Sequence, residues 1–118
     1  MTDRNFAERF AREWAQAWND RDIEAILRHY TDDVIFHSPR IALLLGEDQP
    51  SIEGKDALRA YWTAALEKAS SLYFEVDRVF VGADALTILY TNHRDETVAE
   101  TFVFDAARRV RLSTATYS

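Results

Sequence analysis

Apolar residues recur along this chain at two spacings, every three or four residues in its first half and every second residue later. Near the start, Phe6, Phe10, Trp14, Ala17 and Trp18 follow the helical spacing, with charged residues between them. Such a stripe is typical of a helix that buries one face. The pattern therefore predicts a first helix with a tryptophan-rich buried face.

Two more helices are predicted. Residues 19–22 are polar and interrupt the first helix, and Asp22 suits the N-cap of the second. The second helix would place on one face Ile23, Ile26, Leu27 and Tyr30. A third helix begins at residues 54–56, and its apolar stripe consists of Leu58, Tyr61, Trp62, Ala65, Leu66 and Ala69.

Residues 30–39 connect the second helix to the sheet. If Asp32 and Asp33 make the turn, the first strand covers residues 34–38. Strand alternation then puts Val34, Phe36 and Ser38 on one face, and Ile35 and His37 on the other.

The segment 40–53 has no regular pattern, although residues 41–45 are all apolar. These residues could form a helical turn that packs on the core, or a mobile lid over a cavity. We favour packing over the lid.

Four strands are predicted in the second half of the chain, over residues 72–81, 86–92, 97–104 and 110–117. Short polar separators of hairpin length join the first three of these strands. Helices followed by hairpin-linked strands favour an α+β fold with an antiparallel sheet curled around the helices. A chain of 118 residues fits a single domain over residues 1–118.

Composition narrows the classes of function. The formal net charge of −6 argues against a nucleic-acid binder, which needs a positive field. There is no cysteine, which excludes a disulfide, a thiolate zinc site and a thiol nucleophile. No apolar run reaches the length that crosses a bilayer, and the N-terminus lacks an apolar signal core, so we expect a cytoplasmic protein that does not contact membranes.

Four segments together resemble a known family. They are residues 14–22, residues 30–39, residues 52–58 with Tyr61 and Trp62, and residues 100–105. Their order is similar to that in SnoaL-like domains of the nuclear transport factor 2-like (NTF2-like) superfamily, which are related to ketosteroid isomerases and polyketide cyclases. The resemblance implies a cone-shaped, cystatin-like barrel in which three N-terminal helices pack on a strongly curved mixed sheet around an apolar pocket. Members of this superfamily differ in function, so the fold alone names none.

The resemblance also allows a comparison with the isomerase site. Ser38 stands where that enzyme has its aspartate base, and Trp14 stands where it has an oxyanion-hole tyrosine. Trp62 replaces a supporting tyrosine, whereas Tyr30 matches a tyrosine and Glu100 matches the protonated acid. A serine hydroxyl cannot abstract a carbon-bound proton unaided. We therefore predict that the chain does not isomerise steroids by that mechanism.

Glu100 is the candidate catalytic residue. Alternation places it on one strand face with Val98, Phe102 and Phe104. If that face lines the pocket, loss of solvent would raise the pKa of the carboxyl and make it a usable acid or base near neutral pH. The alternative is that Glu100 sits at the open end, paired with an arginine or a tyrosine hydroxyl.

The large residues of the inward faces are candidates to line a narrow, mostly apolar cavity. The predicted ligand-binding residues are Trp14, Trp18, Tyr30, Phe36, Ser38, Tyr61, Trp62, Phe74, Tyr90, Asn92, Phe102 and Tyr117. An aromatic stripe is more often core than ligand site, so only some of these residues need to line the cavity. The three histidines are predicted to lie away from the site, with His37 on the outer sheet face and His29 and His93 facing solvent. They lack the spacing of a metal site, and we expect no metal and no other cofactor.

Three hypotheses remain open. The first is a pocket protein that binds a small, mostly apolar molecule without the isomerase's catalytic set. The second is an isomerase, cyclase or dehydratase that uses Glu100 as general acid or base. The third is a dimeric structural module whose cavity is filled by side chains. The resemblance also implies a homodimer, for which the outer sheet face offers Ile35, His37, Leu89, Thr91, Thr101 and Val103.

Overall fold

A computed structural model describes residues 2–46 and 48–118 of the chain. The helices within these residues are α1 (Arg4–Asn19), α2 (Ile23–Leu27), α3 (Pro39–Leu45) and α4 (Lys55–Lys68). The strands are β1 (Tyr30–His37), β2 (Ser51–Glu53), β3 (Glu75–Val81), β4 (Ala85–Thr91), β5 (Thr97–Phe104) and β6 (Val110–Tyr117). No helix among the described residues is long and apolar enough to cross a membrane.

All six strands form one curved sheet in the order β2-β1-β6-β5-β4-β3. Neighbours run antiparallel except β1 and β6, which are parallel and make the sheet mixed. Hairpins join β3 to β4, β4 to β5 and β5 to β6, and they align the inward faces of these strands. The α+β prediction is confirmed.

Helix α1 covers the inner face of the sheet. It begins at Asp3, whose side chain accepts a hydrogen bond from the backbone N–H of Phe6 at 2.7 Å. Its aromatic side chains contact β5, with ring centroids 5.1 Å apart for Phe10 and Phe102 and 5.4 Å apart for Trp14 and Phe102. Each fully buried ring of this size stabilises the fold by about 1.5–3 kcal/mol. The predicted tryptophan-rich face is therefore the face through which α1 packs on the sheet.

The first strand differs from its prediction. It begins at Tyr30, so Asp32 and Asp33 lie inside the strand with exposed side chains and do not form a turn. The pairing of β1 with β6 shifts between Tyr30 and Ile35, which marks an irregularity of the β-bulge type. This irregularity lets two charged residues face solvent in a strand that is otherwise half buried. Tyr30 thus belongs to the sheet and not to the second helix.

The segment 40–53 contains two elements that its sequence pattern does not predict. Helix α3 begins at Pro39, and strand β2 pairs with β1 through Ile52 and Phe36. Ile41 is fully buried, as expected for packing, but residues 43–45 are exposed, and Leu43 has 82% of its surface accessible. A helix of two turns presents only one face to the core, so its remaining leucines face outward.

Strand β3 begins at Glu75, three residues later than predicted. The reason is Asn19 at the end of α1. Its side-chain N–H donates to the Phe74 carbonyl at 2.9 Å, and its oxygen accepts from the Phe74 N–H at 2.8 Å. These two bonds occupy the backbone groups of Phe74 that strand pairing would need.

Candidate functional site

The concave side of the sheet encloses a cavity with two adjoining parts, which we call the inner chamber and the mouth. The inner chamber has a volume of about 110 Å³, and the mouth has a volume of about 370 Å³. Side chains that border both parts are Arg40, Tyr61, Ala65, Leu72, Phe74, Tyr90 and Tyr117. Because so much of the lining is shared, the inner chamber opens towards solvent through the mouth.

Glu100 lies in the wall of the inner chamber with only 4% of its surface exposed. Strand β5 pairs it with Ile88 on one side and Ala115 on the other. The Tyr90 hydroxyl donates to one carboxylate oxygen at 2.9 Å, and the Ser113 hydroxyl donates to the other at 3.0 Å. Both partners within the described residues are neutral hydroxyls. The predicted alternative named an arginine or a tyrosine hydroxyl at the open end; a tyrosine hydroxyl is a partner, but the carboxyl lies in the inner chamber and not at the open end.

Burial controls the chemistry of this carboxyl. Loss of solvent raises the pKa of Glu100 from its ordinary value of 4.5 to about 7, although the hydrogen bonds from Tyr90 and Ser113 act in the opposite direction. The same burial raises the pKa of Tyr90 well above its ordinary value, which keeps the phenol a hydrogen-bond donor. Glu100 therefore exists in both protonation states near neutral pH, and it can donate or accept a hydrogen bond inside the chamber.

The residues at the isomerase positions have other uses here. The indole N–H of Trp14 donates to the Tyr30 hydroxyl at 3.1 Å, deep in the core. Ser38 is the N-cap of α3, and its hydroxyl accepts from the Arg40 backbone N–H at 3.2 Å. Trp62 packs edge-on against three aromatic rings. Ser38 therefore serves as a helix cap in this structure.

Most of the predicted ligand-binding residues border the cavity. Those in the inner chamber are Trp14, Trp18, Phe36, Ser38, Tyr61, Trp62, Phe74, Tyr90 and Tyr117, and Asn92 borders the mouth. Tyr30 and Phe102 border neither part and are fully buried. Both lie against Trp14, which separates them from the chamber. Contact of any of these residues with a ligand stays a prediction.

One buried donor in the chamber is unused. The Trp18 indole N–H has no hydrogen-bond partner among residues 2–46 and 48–118, and the side chain of Trp18 borders the inner chamber. Buried polar atoms without a partner are rare in native proteins. The fold therefore leaves a buried donor without an acceptor in a side chain that borders the inner chamber.

Helix α3 forms one side of the mouth. The Arg40 side chain donates to the Tyr117 hydroxyl at 3.0 Å, lies over the Tyr117 ring and pairs with Glu96. Asn92 also donates to Glu96, at 2.9 Å. Leu43 and Leu44 border the mouth. Arg40, Glu96 and Ser113 are not among the residues predicted from the sequence. Strand alternation gives a signal only for Ser113, which shares a face with Ala115.

The histidines partly depart from their predictions. His37 lies half buried on the outer face of β1, as expected. His29 packs edge-on against Phe10 at 5.1 Å, and burial lowers its pKa. His93 borders the mouth, where burial also lowers its pKa. The prediction that His29 faces solvent is wrong, because its ring packs against Phe10, whereas His93 is half buried in a turn at the mouth. In the described part of the chain, no group of three or more His, Asp or Glu side chains could hold a metal.

Comparisons with known proteins agree with this geometry. The family model described as SnoaL-like domain matches residues 11–115. A SnoaL-like protein of unknown function from Burkholderia thailandensis is 36% identical with a TM-score of 0.95, and the match covers 100% of this chain and 99% of that one. A comparison with curated proteins gives no match.

Two more distant structures show the same fold. An NTF2-like protein from Cytophaga hutchinsonii is 10% identical with a TM-score of 0.74, over 100% of this chain and 95% of that one. An epoxide hydrolase/cyclase-like enzyme with a role in pyran ring formation in the polyether salinomycin is 14% identical with a TM-score of 0.77, over 100% and 95% of the two chains. At these identities the likeness concerns architecture only.

Proposed function

The chain belongs to the SnoaL-like domain family, and from this premise we propose that it binds a small, mostly apolar molecule that carries one hydroxyl or carbonyl oxygen. The observation that carries the proposal is Glu100, a carboxyl in the wall of an otherwise largely apolar chamber. The fold retains this expensive buried group although apolar residues could fill the site. A polar anchor for a ligand gives the group a use.

The chemistry of the chamber limits the ligand. The Glu100 carboxyl, the Trp18 N–H and the hydroxyls of Ser38, Tyr61 and Tyr117 are polar groups of its lining that can take further partners, while its other walls are mainly aromatic. An apolar cavity of about 150 Å³ in another protein binds benzene. A chamber of about 110 Å³ therefore suits one small ring or a short branched chain, with any further atoms in the mouth.

Phenol and toluene test the proposal because they differ by one hydroxyl at nearly equal size. We expect phenol to shift the Trp18 indole signal in the ¹H–¹⁵N spectrum and to bind more tightly than toluene. Glu100→Leu should reverse this preference, whereas Glu13→Gln, a change on the exposed face of α1, should leave it unchanged. Failure of both probes to bind at this site would refute the proposal.

A second candidate is an enzyme in which Glu100 acts as general acid or base. It is favoured by the pKa of about 7, since proton transfer is most effective when the pKa lies near the working pH. The epoxide hydrolase/cyclase-like neighbour shows that the same architecture can carry a reaction at an oxygen atom. Glu100→Gln separates the two candidates, because an enzyme would lose turnover while retaining most of its ligand affinity.

The cavity volumes weigh against the third hypothesis, a module filled by its own side chains. A homodimer through the outer sheet face remains part of the proposal. The predicted contact residues on β1, β4 and β5 are half buried, and Phe80 on β3 adds an exposed ring to the same face. Sedimentation equilibrium of the chain and of Phe80→Ser would test it, and a monomer at all concentrations would contradict it.

A further inference from the structure

The charges at the mouth run against the charge of the whole chain. The chain has a formal net charge of −6 and Glu96 lies at the edge of the mouth, yet the charged side chains that line the mouth itself in the described residues are three basic ones. They are Arg40, Lys68 and Arg94, which come from α3, α4 and the turn before β5. A concave site with one sign of charge concentrates ligands of the opposite sign.

Arg40 is the cation closest to the inner chamber, because it borders both parts of the cavity. Its side chain is 33% exposed and is oriented by the Tyr117 hydroxyl. A guanidinium held in this way keeps donors in a fixed plane, which matches the two oxygens of a carboxylate. The site therefore has a directional anion donor at the boundary between apolar wall and solvent.

A carboxylate already occupies this donor. Glu96 pairs with Arg40, and its side chain is 39% exposed. Glu96 also accepts a hydrogen bond from Asn92, which can hold it when the arginine has another partner. The pair shows that the position of Arg40 admits a carboxylate, and the exposure of Glu96 leaves room for exchange.

Building on the proposed ligand cavity, we propose that the ligand is a small apolar carboxylic acid. Its hydrocarbon body occupies the inner chamber, and its carboxylate replaces Glu96 on Arg40 at the mouth. Lys68 and Arg94 add a positive field and do not need to contact the ligand. The hydroxyl or carbonyl oxygen of the ligand lies at its other end and meets Glu100.

Three compounds with one carbon skeleton test the charge of the ligand: 3-phenylpropionate, 3-phenylpropan-1-ol and 3-phenylpropylamine. Their affinities would be measured by calorimetry at pH 7.5 in 20 mM and 500 mM salt. A charge-assisted hydrogen bond that is partly exposed predicts about tenfold tighter binding of the acid than of the alcohol at low salt. The amine should bind most weakly, and high salt should reduce the preference for the acid.

Glu96→Gln gives the sharpest variant. It removes the competing carboxylate while Arg40 remains. The acid should therefore bind at least about threefold more tightly, and the affinity for the alcohol should stay about the same. If the pair only holds α3 in place, the same change would weaken all three compounds. Arg40→Gln should remove the preference for the acid, and Arg28→Gln, an exposed arginine at the end of α2, should not.

The outcomes separate this inference from the function on which it rests. Binding of the alcohol with equal or weaker binding of the acid would overturn the inference and leave the ligand cavity standing. Absence of binding by all three compounds would overturn both. The double variant Lys68→Gln/Arg94→Gln keeps Arg40 intact. If it loses the preference for the acid, the positive field of Lys68 and Arg94 recognises the carboxylate, and the proposed contact with Arg40 is wrong.

Discussion

Glu96 and Glu100 lie four residues apart on the chain, yet the fold gives their carboxyl groups opposite properties. Glu100 is buried in the sheet, and loss of solvent raises its pKa to about 7. Glu96 lies at the mouth, where the hydrogen bond from Asn92 and the charge of Arg40 lower its pKa. One carboxyl is thus partly protonated near neutral pH, while the other is ionised there.

The difference shows that solvent access and the charge of the partner set the pKa of each carboxyl, since the two residues are of the same type. The deep end of the cavity is a packed wall with neutral partners, and the mouth is a half-exposed set of charges on a short helix. Each of the following predictions changes one of these two regions and compares the result with the other.

The largest effect is expected from opening a hole in the deep wall. Trp14 is buried against Trp18, Phe74, Tyr90 and Phe102, so Trp14→Ala should lower the free energy of unfolding by about 3–5 kcal/mol. Leu43→Ala at the mouth should change it by less than about 0.5 kcal/mol, because the side chain is mostly exposed. Urea unfolding followed by fluorescence measures both, and similar losses would contradict the contrast.

Next comes the effect of pH through Glu100. Its pKa is higher in the folded chain, so the folded state keeps a proton that the unfolded state loses above its ordinary pKa of 4.5. This stabilisation is complete below pH 4.5 and is lost as the pH rises through about 7. One pKa unit corresponds to about 1.4 kcal/mol, which limits the loss to roughly 3 kcal/mol.

Urea unfolding of the chain and of Glu100→Gln between pH 4.5 and 8.5 would measure this effect as the difference between the two. The difference should change steadily from pH 4.5 to somewhat above the Glu100 pKa of about 7 and then become constant. A difference that does not depend on pH would show that Glu100 titrates normally in the folded state.

A smaller effect is expected from removing one donor to Glu100. Tyr90→Phe deletes the hydroxyl bonded to the carboxylate, so the pKa of Glu100 should rise further. Above neutral pH the lost hydrogen bond should lower stability by about 1 kcal/mol. Ser113→Ala should act in the same direction on the pKa but less strongly. Carbon-13 NMR of the Glu100 carboxyl follows the titration, and a lowered pKa in either variant would disprove this account.

The smallest effect belongs to the mouth. Glu96→Gln should lower stability by no more than about 0.5 kcal/mol, since the pair with Arg40 is partly exposed and screened. Because the folded state lowers the pKa of Glu96, this contribution is present above its ordinary value of 4.5 and fades as the pH falls below it. Thermal unfolding in low and high salt measures it. A loss of several kcal/mol that does not respond to salt would mean that the pair is structural.

The local periodicity of the sequence determined most of the helices and strands of this protein. The stripe on α1, the N-cap at Asp22 and the bounds of β5 and β6 follow from the sequence because helix and strand geometry fix which side chains share a face. The same rule placed Glu100 among apolar neighbours on the inward face. Family membership then supplied the fold, since four ordered segments resemble the SnoaL-like pattern.

Only the tertiary structure decided how separate elements meet. Ser113 reaches Glu100 because of the register between β5 and β6, which alternation within one strand does not contain. Tyr30 and Phe102 lie behind Trp14, although their pattern matches that of residues bordering the chamber. Arg40 reaches Tyr117 and Glu96 from more than fifty positions away. Contacts of this range depend on the packing of whole elements, whereas periodicity reports only the local backbone.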